Sequence, residues 1–334
     1  MSSPGDSIGG MSVPEQPSRP SPSGHRHTHG LDPATEGSAA GIRAVQLSLV
    51  GLAATAVVQA AIVLASGSVA LLADTVHNIT DALTAVPLWI AFAIGRRPPT
   101  RRYPYGYQRV EDLAGVLIVL VIAGSAAYAA WEAISGLMHP RAVEHVPWVA
   151  AAGIVGFLGN EAVAIYRIRV GRRIGSTALV ADGHHARTDG LTSLGVLAGA
   201  IGTALGFERA DPIAGLAIVA AIGFVLVHTT RDVMHRILDG TDPSTVPLLE
   251  TVAASIQGVE HVTSAKARWT GHQLNAELEI QVHPKLTVQE AHVIAEHVEH
   301  ELCHALPRLR GATVHVDPHD HGPHFRGPMA HHRA

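Results

Sequence analysis

Residues 73–84 read ADTVHNITDALT and residues 181–192 read ADGHHARTDGLT, with seven of twelve positions identical. In each copy an Asp, a His and a second Asp are spaced three and four apart, which places them on one face of a helix. The stripes are Asp74, His77 and Asp81 in the first copy and Asp182, His185 and Asp189 in the second. Imidazole and carboxylate are both ligands of divalent metals, and two of each suit a tetrahedral zinc centre. If the two helices pack face to face, His77, Asp81, His185 and Asp189 form such a centre and need no further ligand. One His–Asp pair alone would serve equally well as a hydrogen-bonded link between helices. Two matching HxxxD pairs argue for a metal.

The elements that carry these stripes are strongly apolar. The chain has 334 residues, 47% of them hydrophobic, with a mean hydropathy of +0.22. Six apolar runs, 42–65, 69–94, 111–137, 147–166, 176–203 and 211–230, approach the roughly 20 residues that cross a bilayer. That exceeds what a soluble core of this size uses. The two copies fall in the second and fifth runs. An ionisable group at mid-bilayer costs roughly 2.5–3.5 kcal/mol, so it is kept where it faces a protein interior or a water-filled path.

Charge sets the expected orientation. Arg96, Arg97, Arg101, Arg102 and Arg109 lie between runs two and three; Arg167, Arg169, Arg172 and Arg173 lie between runs four and five. The opposite connections carry only Arg141 and Arg209. Excess Arg marks the cytoplasmic side, which puts both Arg-rich loops and both termini in the cytoplasm of a plasma (inner) membrane protein. Residues 1–40 are rich in Ser, Pro and Gly, carry several His and lack an apolar stretch, so they read as a disordered tail rather than a cleaved signal. Cys303 is the single cysteine, which excludes an intramolecular disulfide or a multi-thiolate metal site. The net charge of −4 gives no sign of a nucleic-acid partner.

Beyond Asp239 the pattern changes. Residues 244–256 and 287–305 have helical periodicity, whereas 259–269, 273–283 and 312–317 alternate as strands, giving the order αββαβ. Leu274, Ala276, Leu278, Ile280 and Val282 face one side, leaving Glu277, Glu279, Gln281 and His283 on the other. Ala312, Val314 and Val316 likewise face a core, leaving His315 and Asp317 together. His292 opens the exposed side of the second helix. The expected organisation is a tail (1–40), a six-helix transmembrane bundle (41–237), an α+β domain (238–318) and a His-rich flexible tail (319–334).

Six spans with HxxxD on the second and fifth resemble the cation diffusion facilitator family of zinc transporters. GSVALLAD before His77, YPYGYQRVEDLAG at the third span and the terminal HVDP of the α+β domain support the resemblance, which covers about residues 41–318. It implies a homodimer that exchanges cytoplasmic Zn2+ for protons, and a ferredoxin-like, metallochaperone-like cytoplasmic domain. It also carries His292, His315 and Asp317 onto a cytoplasmic zinc site at a dimer interface. Glu277 falls where a relative has a His, and Thr263 where another ligand would stand. Arg109 and Asp239 match positions that pair at the membrane–cytoplasm boundary of a relative. Some members bind a metal in the loop between spans two and three; RRPPTRRYPYGYQR has neither Asp nor His, so none is expected there.

Chemistry and resemblance together give the expected function. Zn2+ binds His77, Asp81, His185 and Asp189 from the cytoplasm and displaces protons, because ligation needs neutral imidazole and ionised carboxylate. An unperturbed imidazole titrates near pH ~6.5, which makes His77 and His185 the natural proton carriers. The helices then rock outward, zinc leaves and protons return. Asp74 and Asp182 are expected to line the path or hydrogen-bond a ligand. His184 points about 100° away from its neighbour and is assigned to packing or a dimer face, Asn160 and Glu161 to helix contacts or the water path, and Gln59 to an interhelical hydrogen bond. His297, His300 and His304 share one helix face, and with the HRHTH and HDHGPH tails they would gather zinc weakly.

Rival readings are export of Cd2+, Co2+ or, disfavoured by the two imidazoles, Mn2+ or Fe2+, and a membrane zinc sensor without transport. An intramembrane metalloenzyme would need an open metal position and a general base such as HExxH, which the chain lacks, so no enzyme is expected.

Overall fold

The computed structural model describes residues 33–66, 85–138, 146–207, 209–306 and 308–318. Among the described residues six helices precede the α+β domain: α1 (Pro33–Ser66), α2 (Ala85–Gly95), α3 (Arg109–Met138), α4 (Val146–Ile174), α5 (Thr177–Ala204) and α6 (Ala210–Ile237). Among the described residues, segments of four helices, Glu36–Leu64, Arg109–Met138, Val146–Ile174 and Pro212–Ile237, are long and apolar enough to cross a membrane. Helix α5 has the length, 28 residues, but carries Asp182, Arg187 and Asp189. Its polarity is carried by the segment that motivated the metal reading. Helix α2 lies at the end of the second expected span, whose residues 69–84 lie outside the described residues.

Helix α4 packs along α5 and against α1, while α6 packs on α3 and α5. Small residues permit the α4–α5 approach. A Cβ on Gly183 would lie 3.0 Å from the Ile168 nitrogen, and one on Gly171 would lie 2.9 Å from the Val180 nitrogen. Close backbone contact of this kind is how helices associate where lipid removes the hydrophobic drive. Leu88, Phe92, Ile118, Ile122, Leu179 and Ile222 form the core that joins α2, α3, α5 and α6.

The connection between α4 and α5 corrects the sequence reading. Arg167 and Arg169 were expected in a loop, but α4 continues to Ile174, and only Gly175 and Ser176 separate it from α5. Gly175 takes φ 81°, a left-handed conformation that closes a helix and favours glycine. The Ser176 hydroxyl then accepts from the Leu179 N–H at 3.0 Å and caps α5. A fall in hydropathy marks where a helix becomes polar, not where it stops. Arg167 is consequently buried, 2% exposed.

The C-terminal domain comprises α7 (Thr245–Ala254), β1 (Val259–Thr270), β2 (Gln273–Val282), α8 (Val288–Ala305) and β3 (Leu309–Pro318), in the expected order αββαβ. The sheet order is β1-β2-β3, with β1 antiparallel and β3 parallel to β2. Leu274, Ala276, Leu278, Ile280 and Val282 are all buried, with Leu249, Val298 and Leu302 of α7 and α8 against them. The alternation in β2 therefore assigned its two faces correctly. Thr287 opens α8 with a capping box: its hydroxyl accepts from the Glu290 N–H, and Glu290 accepts from the Thr287 N–H.

Candidate metal-transport site

Helix α5 positions the second HxxxD stripe. His185 is 1% exposed, and its Nδ1 lies 3.6 Å from an Asp189 carboxylate oxygen. Neither ring nitrogen of His185 has a hydrogen-bond partner among the described residues. Leaving a buried polar atom unpaired costs about 1–3 kcal/mol, so two of them on one ring mark a place prepared for something other than packing. The Thr188 hydroxyl donates to the His185 carbonyl at 2.6 Å and anchors that turn. His77 and Asp81, the expected partners, and Asp74 lie outside the described residues.

Asp182 does not reach His185. It is fully buried, with an oxygen 3.0 Å from Arg167 Nη1 of α4. Arg167 Nε and Nη2 make no hydrogen bond among the described residues, so the pair is held by charge more than by hydrogen-bond geometry. One turn towards the C-terminal end, Arg187 makes a two-pronged contact with Glu161 of α4, at 2.7 and 3.1 Å. The sequence reading gave Glu161 to helix contacts and passed over Arg187. An Arg in an apolar run, facing a lone Glu in the preceding run, was the available signal. Gln59 Nε2 donates to the Ala152 carbonyl at 3.5 Å, linking α1 and α4 as expected. His184 lines a cavity of about 480 Å³ bounded also by Arg172, Asp232, Arg236, Trp269 and Arg308, where the bundle meets the C-terminal domain.

That junction is built from specific contacts. The tip of the β1–β2 hairpin inserts against the start of α3: His272 Nδ1 lies 2.7 Å from Glu111 Oε2, with both side chains 5% exposed. The Gly271 N–H donates to Asp112 at 3.3 Å. A Cβ on Gly271 would lie 2.9 Å from the Gln108 carbonyl, so only glycine permits the approach. Arg236 stacks on Trp269 at 4.0 Å. Arg308 donates to the Arg172 carbonyl at 2.6 Å, capping the end of α4. Arg109 and Asp239 pair at 2.6 Å within one chain. None of these hairpin contacts was legible beforehand.

The expected cytoplasmic ligands are more dispersed. His315 Nε2 lies 3.2 Å from Asp317, His292 pairs with Glu296 at 3.3 Å, and Glu277 pairs with Arg268 at 3.4 Å. In register Glu277 stands opposite Thr313, while His315 faces Glu279. Among the described residues no three His, Cys, Asp or Glu side chains gather as a metal group.

A bundle of apolar helices with an ionisable helix inside it, joined to an αββαβ domain, is the architecture of a multi-pass membrane protein. The chain matches the "Cation efflux transmembrane domain" family over residues 45–238 and the "Cation efflux protein, cytoplasmic domain" family over residues 242–319. It is 56% identical over 301 residues, 90% of this chain and 91% of the relative, to a probable cation efflux system protein of Mycobacterium tuberculosis. It is 24% identical over 256 residues, 76% of this chain and 86% of the relative, to the magnetosome protein MamB of Magnetospirillum gryphiswaldense. A solved C-terminal domain of MamM is 26% identical, covering 23% of this chain and 94% of that one, with a TM-score of 0.23. The chain belongs to the cation efflux (cation diffusion facilitator) family. It is a transporter of divalent metal cations with a cytoplasmic C-terminal domain, not an enzyme.

Proposed function

We propose that the protein exports Zn2+ from the cytoplasm in exchange for protons, through His77, Asp81, His185 and Asp189. The observation that carries this reading is the buried His185, whose ring nitrogens, without a hydrogen-bond partner among the described residues, stand beside Asp189. Imidazole favours zinc over Mg2+, Ca2+ or Mn2+, and ligation by His and Asp releases the protons those groups hold at lower pH. His77 and His185 carry protons on the return step. Asp182, fixed by Arg167, holds the α4–α5 pair rather than ligating the cargo.

In this reading the chain is a homodimer in the plasma membrane with both termini cytoplasmic, organised as a tail, a six-span bundle that starts with α1 at Pro33 rather than at the expected residue 41 and runs to 237, a cytoplasmic domain (238–318) and a His-rich tail (319–334). His292, His315, Asp317 and Glu277 contribute a second zinc site only across the dimer, since within one chain only His315 and Asp317 meet, while His292 and Glu277 pair with other neighbours. Reconstitution in proteoliposomes with an imposed pH gradient tests the proposal. Zn2+ uptake should follow the gradient and vanish in Asp189→Ala. No Zn2+ flux from folded protein, or flux indifferent to the gradient, would overturn it; flux of Cd2+, Co2+, Mn2+ or Fe2+ alone would reassign the cargo.

A further inference from the structure

Helix α8 presents His292, Glu296, His300 and His304 at intervals of four residues. This spacing lays them in one stripe along the helix. His300 Nε2 lies 3.1 Å from His304 Nε2, with the rings edge to face at a centroid separation of 4.5 Å. Both side chains are exposed, whereas the opposite face of α8 buries Val298 and Leu302 completely. Neither imidazole is therefore needed for packing. Cys303 packs against the domain core, and burial raises its thiol pKa, so it stands apart from the stripe.

A hydrogen bond between two solvated imidazoles gains little, because water serves each nitrogen as well. The spacing suits another role. Two nitrogens bound to one tetrahedral metal at about 2.0–2.1 Å lie about 3.3 Å apart. We infer that His300 and His304 form a divalent-metal chelate on the outer face of α8, distinct from the α5 site and from His292, His315 and Asp317. Two imidazoles select Zn2+, Co2+, Ni2+ or Cu2+ over Mg2+ and Ca2+. Each ring presents Nε2 and keeps its proton on Nδ1. Among the described residues no third ligand joins them, so water completes the shell. The metal bridges adjacent turns and stabilises the end of α8 by as much as it prefers the folded helix.

The test is equilibrium dialysis of full-length protein in detergent against Zn2+, with bound metal counted per chain. Wild type is compared with a double variant, His300→Ala with His304→Ala, and with a second, His292→Ala with His315→Ala. The first should lose about one Zn2+ equivalent and the Zn2+-induced rise in unfolding midpoint, with an unchanged midpoint in metal-free buffer. The same loss in an Asp189→Ala background separates this site from the transport site, whatever the transported ion proves to be. Unchanged stoichiometry in the first double variant would overturn the assignment. So would an equal loss that appears only when His292 and His315 are removed.

Discussion

His185 and Asp189 on α5 and His315 and Asp317 on β3 are the same two residue types, separated by four positions and by two. Their surroundings divide them. In α5 the imidazole is buried, 3.6 Å from the carboxylate, with no hydrogen-bond partner at either ring nitrogen among the described residues. On β3 the imidazole is 65% exposed and sits 3.2 Å from its carboxylate. A solvated imidazole–carboxylate pair is drawn together by charge alone and can exchange its partner for water, so its closeness says little about a ligand. A buried pair has no such exchange, and unsatisfied nitrogens there are informative. The contrast explains why the membrane stripe carries the proposed function and why the proposal assigns the cytoplasmic residues a site only together with a second chain.

The largest effect that would sharpen this contrast lies at Arg167. Replacing it by Met leaves Asp182 fully buried without its cation, which should cost about 3–5 kcal/mol and lower the unfolding midpoint sharply. Adding Asp182→Leu should recover much of that loss; no recovery would show that the pair acts through something other than charge burial. At the junction, His272→Ala removes the buried partner of Glu111 and should cost about 1–3 kcal/mol, read in the same melts. A neutral result would mean that the hairpin tip is held by Gly271 and Trp269 alone.

The smallest effect concerns the fully exposed capping box. The Thr287 backbone and hydroxyl lower the Glu290 pKa below its ordinary 4.5. A depressed carboxyl stabilises the fold above its unfolded pKa and loses that contribution as pH falls through the folded value. Amide protection in the first turn of α8, corrected for the intrinsic exchange rate, should therefore fall below about pH 4.5, and Thr287→Ala should abolish the step.

What was legible beforehand followed periodicity. The αββαβ order and the two faces of β2 came from alternation, and the HxxxD stripe on α5 from helical spacing. Arg167 was misplaced because composition was read as a loop boundary, although a helix can stay helical while turning polar. Arg187 with Glu161, signalled only by a lone charge in each of two neighbouring runs, and His272 with Glu111 were missed for another reason. They join positions 26 and 161 residues apart, and no local pattern encodes such a distance.

The two-residue turn at Gly175 and Ser176 has a mechanical consequence. From it to Asp189 the helix runs about 21 Å at 1.5 Å per residue, so α5 acts as a lever pivoted at its capped end. A tilt of about 5° there displaces the Asp189 carboxylate by about 1.8 Å, comparable with a whole metal–oxygen bond. Arg308, bonded to the last turn of α4, fastens the cytoplasmic domain beside that pivot. If Asp189 ligates the cargo as proposed, a small rotation of the domain is thereby geared up into making or breaking that bond.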